Sequence, residues 1–91
     1  MLGPEHPETA QTLSNFAYLL QHQGDLTGAR PLYERALAIR VKVLGPEHPN
    51  TAVVLCNLAH LLNKAGHASE AEPLFHRAIS ISEKALGSNH R

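Results

Sequence analysis

Residues 2–7 read Leu-Gly-Pro-Glu-His-Pro, and residues 44–49 read Leu-Gly-Pro-Glu-His-Pro again. Sliding the whole sequence by this 42-residue offset aligns residues 2–43 with 44–85 and leaves 21 of the 42 positions identical. Unrelated segments of this composition would agree at only a handful, so the period is a true internal repeat. The expected units are 2–43 and 44–85. A third copy starts at Leu86-Gly87, with His90 in register with His6 and His48, and covers only 86–91. Such a mid-unit cut is expected of an excerpt from a longer array or of a deliberately trimmed piece.

Each unit reads as two helices. Leu13, Phe16, Ala17 and Leu20 recur at i, i+3, i+4 and i+7, the apolar stripe of an amphipathic helix. Gly24 is placed to end it in the left-handed conformation that glycine reaches without steric cost. Asp25 is expected to cap the next helix. That helix carries Ala29, Leu32, Tyr33, Ala36 and Leu37 and should run to about Leu44, where Gly45-Pro46 stops it. The second unit repeats the scheme with Leu55, Leu58, Ala59 and Leu62, then Gly66, then Ala71, Leu74, Phe75, Ala78 and Ile79. Pro7 and Pro49 suit a first helical turn, where the missing N–H costs nothing. Pro31 and Pro73 do not, if the second helices begin near residues 26 and 68. Either those helices start later or they bend, because an interior proline removes a hydrogen bond and crowds the carbonyl four residues back. No stretch alternates with period two, so no strand is expected.

The alanines set the architecture. Ala17, Ala29 and Ala36, matched by Ala59, Ala71 and Ala78, lie within the stripes and allow close approach of antiparallel helices. Phe16, Tyr33, Leu58 and Phe75 are expected to fill the neighbouring gaps. One hairpin cannot bury its apolar face alone, whereas a second stacked on it can. The fold class is therefore all-α: tandem antiparallel helix hairpins, two units and four helices.

With these residues the chain resembles the tetratricopeptide repeat, in its long, kinesin-light-chain-like variant. The motif of a large residue, a small residue, an aromatic or Leu, Gly, then Ala-x3-aromatic-x2-Ala occurs as Phe16, Ala17, Leu20, Gly24, Ala29, Tyr33, Ala36. It recurs as Leu58, Ala59, Leu62, Gly66, Ala71, Phe75, Ala78. Leu13 and Leu55 stand where the short form often has tryptophan, and Val41 and Glu83 replace its helix-ending proline. Both departures suit a longer second helix. The resemblance implies a short right-handed α-solenoid whose concave wall is built from the first helix of each unit and binds protein or peptide ligands. On that basis the expected peptide-binding residues are Gln11, Ser14, Asn15, Tyr18 and His22, with Val53, Cys56, Asn57, His60 and Lys64 in the second unit. Asn15 and Asn57 are identical and carry an amide that both donates and accepts, so they can either pair with a ligand backbone or bond locally.

Other functions find little support. Lys and Arg together number 8, as do Asp and Glu, so there is no basic excess for nucleic acid or an anionic membrane surface. No apolar run reaches the roughly 20 residues of a membrane span, and residues 1–7 have neither a charged nor an apolar leader segment. The single Cys56 allows no internal disulfide and suits a reducing compartment, so a soluble cytoplasmic domain is expected. Among seven histidines, His6, His48 and His90 fall once per linker, too far apart to converge, and are expected to cap or pack. Cys56 and His60 form half a zinc site by spacing, with only His22 as a further donor within the chain, and no metal is expected. No cofactor and no catalysis are expected either: a Cys–His nucleophile would need an orienting third group and an oxyanion hole, and neither is visible. Glu34, Glu70, Glu72 and Glu83 are expected on solvated helix faces, with Glu5 and Glu47 in the linkers.

The competing expectation is self-association. The last helix, with Leu74, Ile79 and Ile81, has no following helix to cover it, and uncovered apolar surface often becomes an interface. A dimeric or helix-exchanged homo-oligomer, or an engineered assembly unit without its own ligand, would use these terminal helices.

Overall fold

A computed structural model describes residues 6–87 of the chain. The linker histidine His90 lies outside the described residues. Four helices follow one another: α1 (Pro7–His22), α2 (Leu26–Leu44), α3 (Pro49–Lys64) and α4 (Ala68–Gly87). Among the described residues there is no strand. α1 packs on α2, α3 packs on α4, and α2 also packs on α3, so α2 joins the two hairpins.

The helix ends follow from local chemistry. The imidazole Nδ1 of His6 accepts the Glu8 N–H at 3.0 Å, and that of His48 accepts the Asn50 N–H at 3.0 Å. Two of the three linker histidines are thus N-caps, an unusual use of imidazole in a role normally filled by Ser, Thr, Asp or Asn. Pro49 follows His48 as the first helical residue, where its missing N–H would have had no partner. α1 ends in a Schellman turn: Asp25 N–H reaches Leu20 O at 2.9 Å, and Gly24 N–H reaches Gln21 O at 3.0 Å. Gly24 has φ of 90° there, and Gly66 closes α3 the same way at 87°. Asp25 then caps α2, its Oδ1 accepting from Gly28 N–H at 2.9 Å. The linker before α3 is tied down by Thr51, which is fully buried and donates its hydroxyl to Gly45 O at 2.9 Å.

Of the two accounts open for the prolines, a late helix start is excluded. α2 begins at Leu26 and α4 at Ala68, so Pro31 and Pro73 lie inside their helices. Each deprives the carbonyl four residues back, Thr27 or Ser69, of its usual helical donor.

The alanines sit where the close approach requires them. Ala17, Ala29, Ala36, Ala59, Ala71 and Ala78 are all buried. A larger side chain at any of them would force the paired helices apart. Around them lie three apolar clusters. The largest joins Ala17, Ala29 and Tyr33 of the first hairpin to Leu58, Ala59, Leu61, Leu62 and Ala71 of the second. A second holds Ala10, Ala36, Ile39 and Val54, and a third Ala52, Leu55, Ala78 and Ile81. Leu37 packs against all three.

Three core expectations are corrected. Phe16 was expected to fill the core, but it is exposed, whereas its counterpart Leu58 is buried. The reason is the neighbour: α2 covers this side of α3, and no described helix covers the same side of α1. Ile81 was expected on the uncovered face of α4, but it is buried in the third cluster. Leu74 is half-buried against the first and third clusters, so Ile79 and Leu86 are the large apolar residues that α4 exposes.

Candidate functional site

The ten residues expected to bind a ligand lie on α1 and α3, each set spread along nearly three turns of its helix. Gln11, Asn15, Tyr18 and His22 are exposed on α1, as are Val53, His60 and Lys64 on α3. Cys56 and Asn57 are half-buried. Ser14 departs from the expectation, being only 7% exposed, and its Oγ has no hydrogen-bond partner among the described residues. It lies one turn after Ala10 on the side of α1 that the other helices cover, and so presents no hydroxyl to a ligand.

Neighbouring contacts stiffen much of this surface. The Gln11 amide donates to Asn15 Oδ1 at 2.9 Å, one turn on, so the exposed Asn15 carbonyl already has a local partner. Gln11 Oε1 in turn accepts from Arg40 Nη2 at 3.0 Å. The Tyr18 and His22 rings lie 4.2 Å apart, centroid to centroid, and tilted by 41°. On α3, His60 meets Phe75 of α4 edge to face at 5.2 Å. Such paired rings offer flat, partly apolar area that is already ordered, which lowers the entropy cost of binding.

Arg40 is the residue that sequence reading missed. Its guanidinium is buried, its Nε has no partner among the described residues, and Gln11 is its one hydrogen-bonded neighbour there. The clue was available: Arg40 stands four residues after Ala36 and three after Leu37, on the inward stripe of α2. Its counterpart 42 residues on is Ser82, so the repeat itself gave no warning.

One charged residue, Arg30, bridges the two hairpins. Arg30 Nε pairs with Glu34 at 2.9 Å and its Nη2 with Glu70 at 2.7 Å, tying α2 to the start of α4. Both carboxylates, Glu34 first, hold the Arg30 guanidinium above its ordinary pKa. Beside this pair an open cleft of about 320 Å³ is lined by Leu26, Thr27, Pro31, Leu61 and His67 among others. Lys84 reaches Glu47 in the linker at 2.6 Å. Tyr33, buried between the hairpins, donates to Gln21 Oε1 at 3.2 Å. Burial pushes its phenol pKa up, and Tyr18 adds to the push.

No three His, Cys, Asp or Glu side chains converge as a metal cage among the described residues. Cys56 turns toward the third apolar cluster while His60 turns to the Phe75 ring, so the half-site suggested by their spacing is pulled apart. No helix among the described residues is long and apolar enough to cross a membrane.

Two antiparallel α-hairpins of one sequence motif, stacked through the second helix of the first, define a helical-repeat protein. The family model described as Tetratricopeptide repeat matches residues 8–84, and the chain belongs to that family. As a class, its members are protein-interaction scaffolds and are generally not catalysts. No significant match to a curated protein is found.

Proposed function

We propose that this chain is a non-catalytic, cytoplasmic scaffold that binds a protein or peptide along the concave face formed by α1 and α3. The boundaries 2–43, 44–85 and 86–91 are its repeat units, and the period and linker fit the long, kinesin-light-chain-like variant with a right-handed superhelix. The observation that carries the reading is the matched exposure of α1 and α3. Gln11, Tyr18 and His22 face solvent on one, and their counterparts Val53, His60 and Lys64 on the other, with Asn15 exposed and its counterpart Asn57 half-buried beside them. The surface mixes amide donors, flat rings and one cation, and so suits an extended peptide whose backbone is read by amides and whose side chains rest on rings.

The test is a random peptide library panned on the chain, followed by titration of selected peptides against an Asn15→Ala, Asn57→Ala double variant. The double variant should keep the parent's circular dichroism and lose at least tenfold in affinity. Peptides that bind parent and variant equally would show that the site lies elsewhere.

A second reading is favoured by the exposed Phe16, Leu19, Ile79 and Leu86: the unit associates with copies of itself through its terminal helices.

A further inference from the structure

Arg40 is a buried cation that pairs with no carboxylate among the described residues, and its one hydrogen-bonded neighbour there is Gln11 of α1. A guanidinium only donates, so the Gln11 atom 3.0 Å from Arg40 Nη2 must be the amide oxygen. That choice fixes the rest of the amide. Gln11 turns its Nε2 to Asn15, and the atom it meets at 2.9 Å must be the acceptor Oδ1. The hydrogen-bonding groups of Asn15 that keep no partner among the described residues are then its two N–H donors.

Resting on the groove proposed above, we infer that Arg40 is a positioning residue: it sets the sense of the Gln11–Asn15 amide pair, so that Asn15 meets a peptide as a donor to a backbone carbonyl. A ligand N–H would have to share Oδ1 with Gln11, or turn the Asn15 amide over and set two donors face to face. Gln11 cannot follow such a turn, because its Nε2 would then oppose Arg40 and leave a buried guanidinium with no acceptor. A hydrogen bond to a charged group holds this inner link by roughly ten- to a hundredfold. The outer link, between two exposed side chains one helical turn apart, holds by only about twofold while water competes. A peptide seated on the pair excludes that water and strengthens the preference where it acts.

The second unit has no such hold. Arg40, Gln11 and Asn15 align one repeat on with Ser82, Val53 and Asn57. Valine offers no amide to Asn57, which can therefore meet a ligand with either end of its own. The two asparagines that the repeat makes identical thus differ in sense. A peptide lying along both units is read for a carbonyl at the first and for either backbone group at the second.

The first arm of the test needs no ligand: nitrogen–proton correlation spectra of the side-chain amides in the parent, Arg40→Met and Arg40→Lys, with circular dichroism checking that each is folded. Methionine keeps an apolar stem without a donor, and lysine keeps a donor that cannot accept. Arg40→Met should move the Gln11 and Asn15 signals toward those of free amides and leave Asn57 in place, whereas Arg40→Lys should hold all three. Signals that stay put in Arg40→Met, or move equally in both variants, would overturn the hold. The second arm titrates library-selected peptides, capped and without charged side chains, against Asn15→Ala, Asn15→Asp and Gln11→Glu, all at exposed sites. Asn15→Asp still accepts from Gln11 but has no donor for the ligand, and Gln11→Glu still accepts from Arg40 but draws the Asn15 donors to itself. Each should lose about fivefold in affinity, the worth of one neutral hydrogen bond. Asn15→Asp binding as tightly as the parent, while Asn15→Ala weakens, would overturn the donor sense. Peptides indifferent to all three variants, with the amide signals moving as expected, would overturn the groove at Asn15 and leave the hold of Arg40 on the pair standing.

Discussion

Leu37 and Ile79 occupy the same position in the two units, and replacing each with alanine should have very different consequences. Leu37 is half-buried and packs against all three apolar clusters, whereas Ile79 is mostly exposed. Truncating a buried leucine costs about 2–5 kcal/mol, from lost transfer energy and the cavity left behind. Leu37 retains some exposure, which places Leu37→Ala near the low end, at about 2–3 kcal/mol. For a domain of roughly this size each kcal/mol moves Tm by about 4–8 °C, so Tm should fall by roughly 8–24 °C. Ile79→Ala removes little buried surface and gains helix propensity, so its effect should stay within about 0.5 kcal/mol, or roughly 4 °C. Thermal melts followed by circular dichroism at two low protein concentrations, which should agree, measure both. Equal losses for the two variants, or a loss under about 1 kcal/mol for Leu37→Ala, would refute the placement of Leu37 at the meeting point of the hairpins.

Two further outcomes follow from named contacts. His48→Ala removes the acceptor for Asn50 N–H and should cost about 1 kcal/mol, while His48→Asp keeps an acceptor and should melt at or above the parent temperature; if both variants melt equally early, the imidazole acts by packing and not as a cap. Tyr33 binds its proton more tightly folded than unfolded, so its contribution to stability is complete below about pH 10 and is lost as pH rises through the higher folded-state value. Urea unfolding of the parent and of Tyr33→Phe from about pH 8 upward should show the parent losing stability faster above about pH 10, and parallel curves would reject that role for burial.

Much of the fold was legible because it rests on local, repeated signals. Gly24 and Gly66 mark turns that need positive φ, Asp25 supplies the acceptor for an N-cap, and the spaced alanines mark where helices touch. The linker histidines are expected to cap or pack, and His6 and His48 are caps. The candidate site was less legible. The family resemblance puts Ser14 in the groove, yet it is buried, and nothing in the repeat pattern marks Arg40, whose buried guanidinium pairs with Gln11. Pro31 raised a question that periodicity could not answer, since a pattern does not say whether a helix begins before or after a proline.

The amino-acid sequence by itself determined that this chain forms paired helices in tandem, because helix periodicity, caps and glycine turns depend on residues within a few positions of one another. It treats the two units as equivalents. Tertiary structure alone decided that they are not: Phe16 and Leu58, Thr12 and Val54, and Ile79 and Leu37 hold the same places in the repeat and meet opposite surroundings. Burial depends on which helix lies alongside: among the described residues α2 packs along both α1 and α3, whereas α1 packs chiefly on α2 and α4 chiefly on α3.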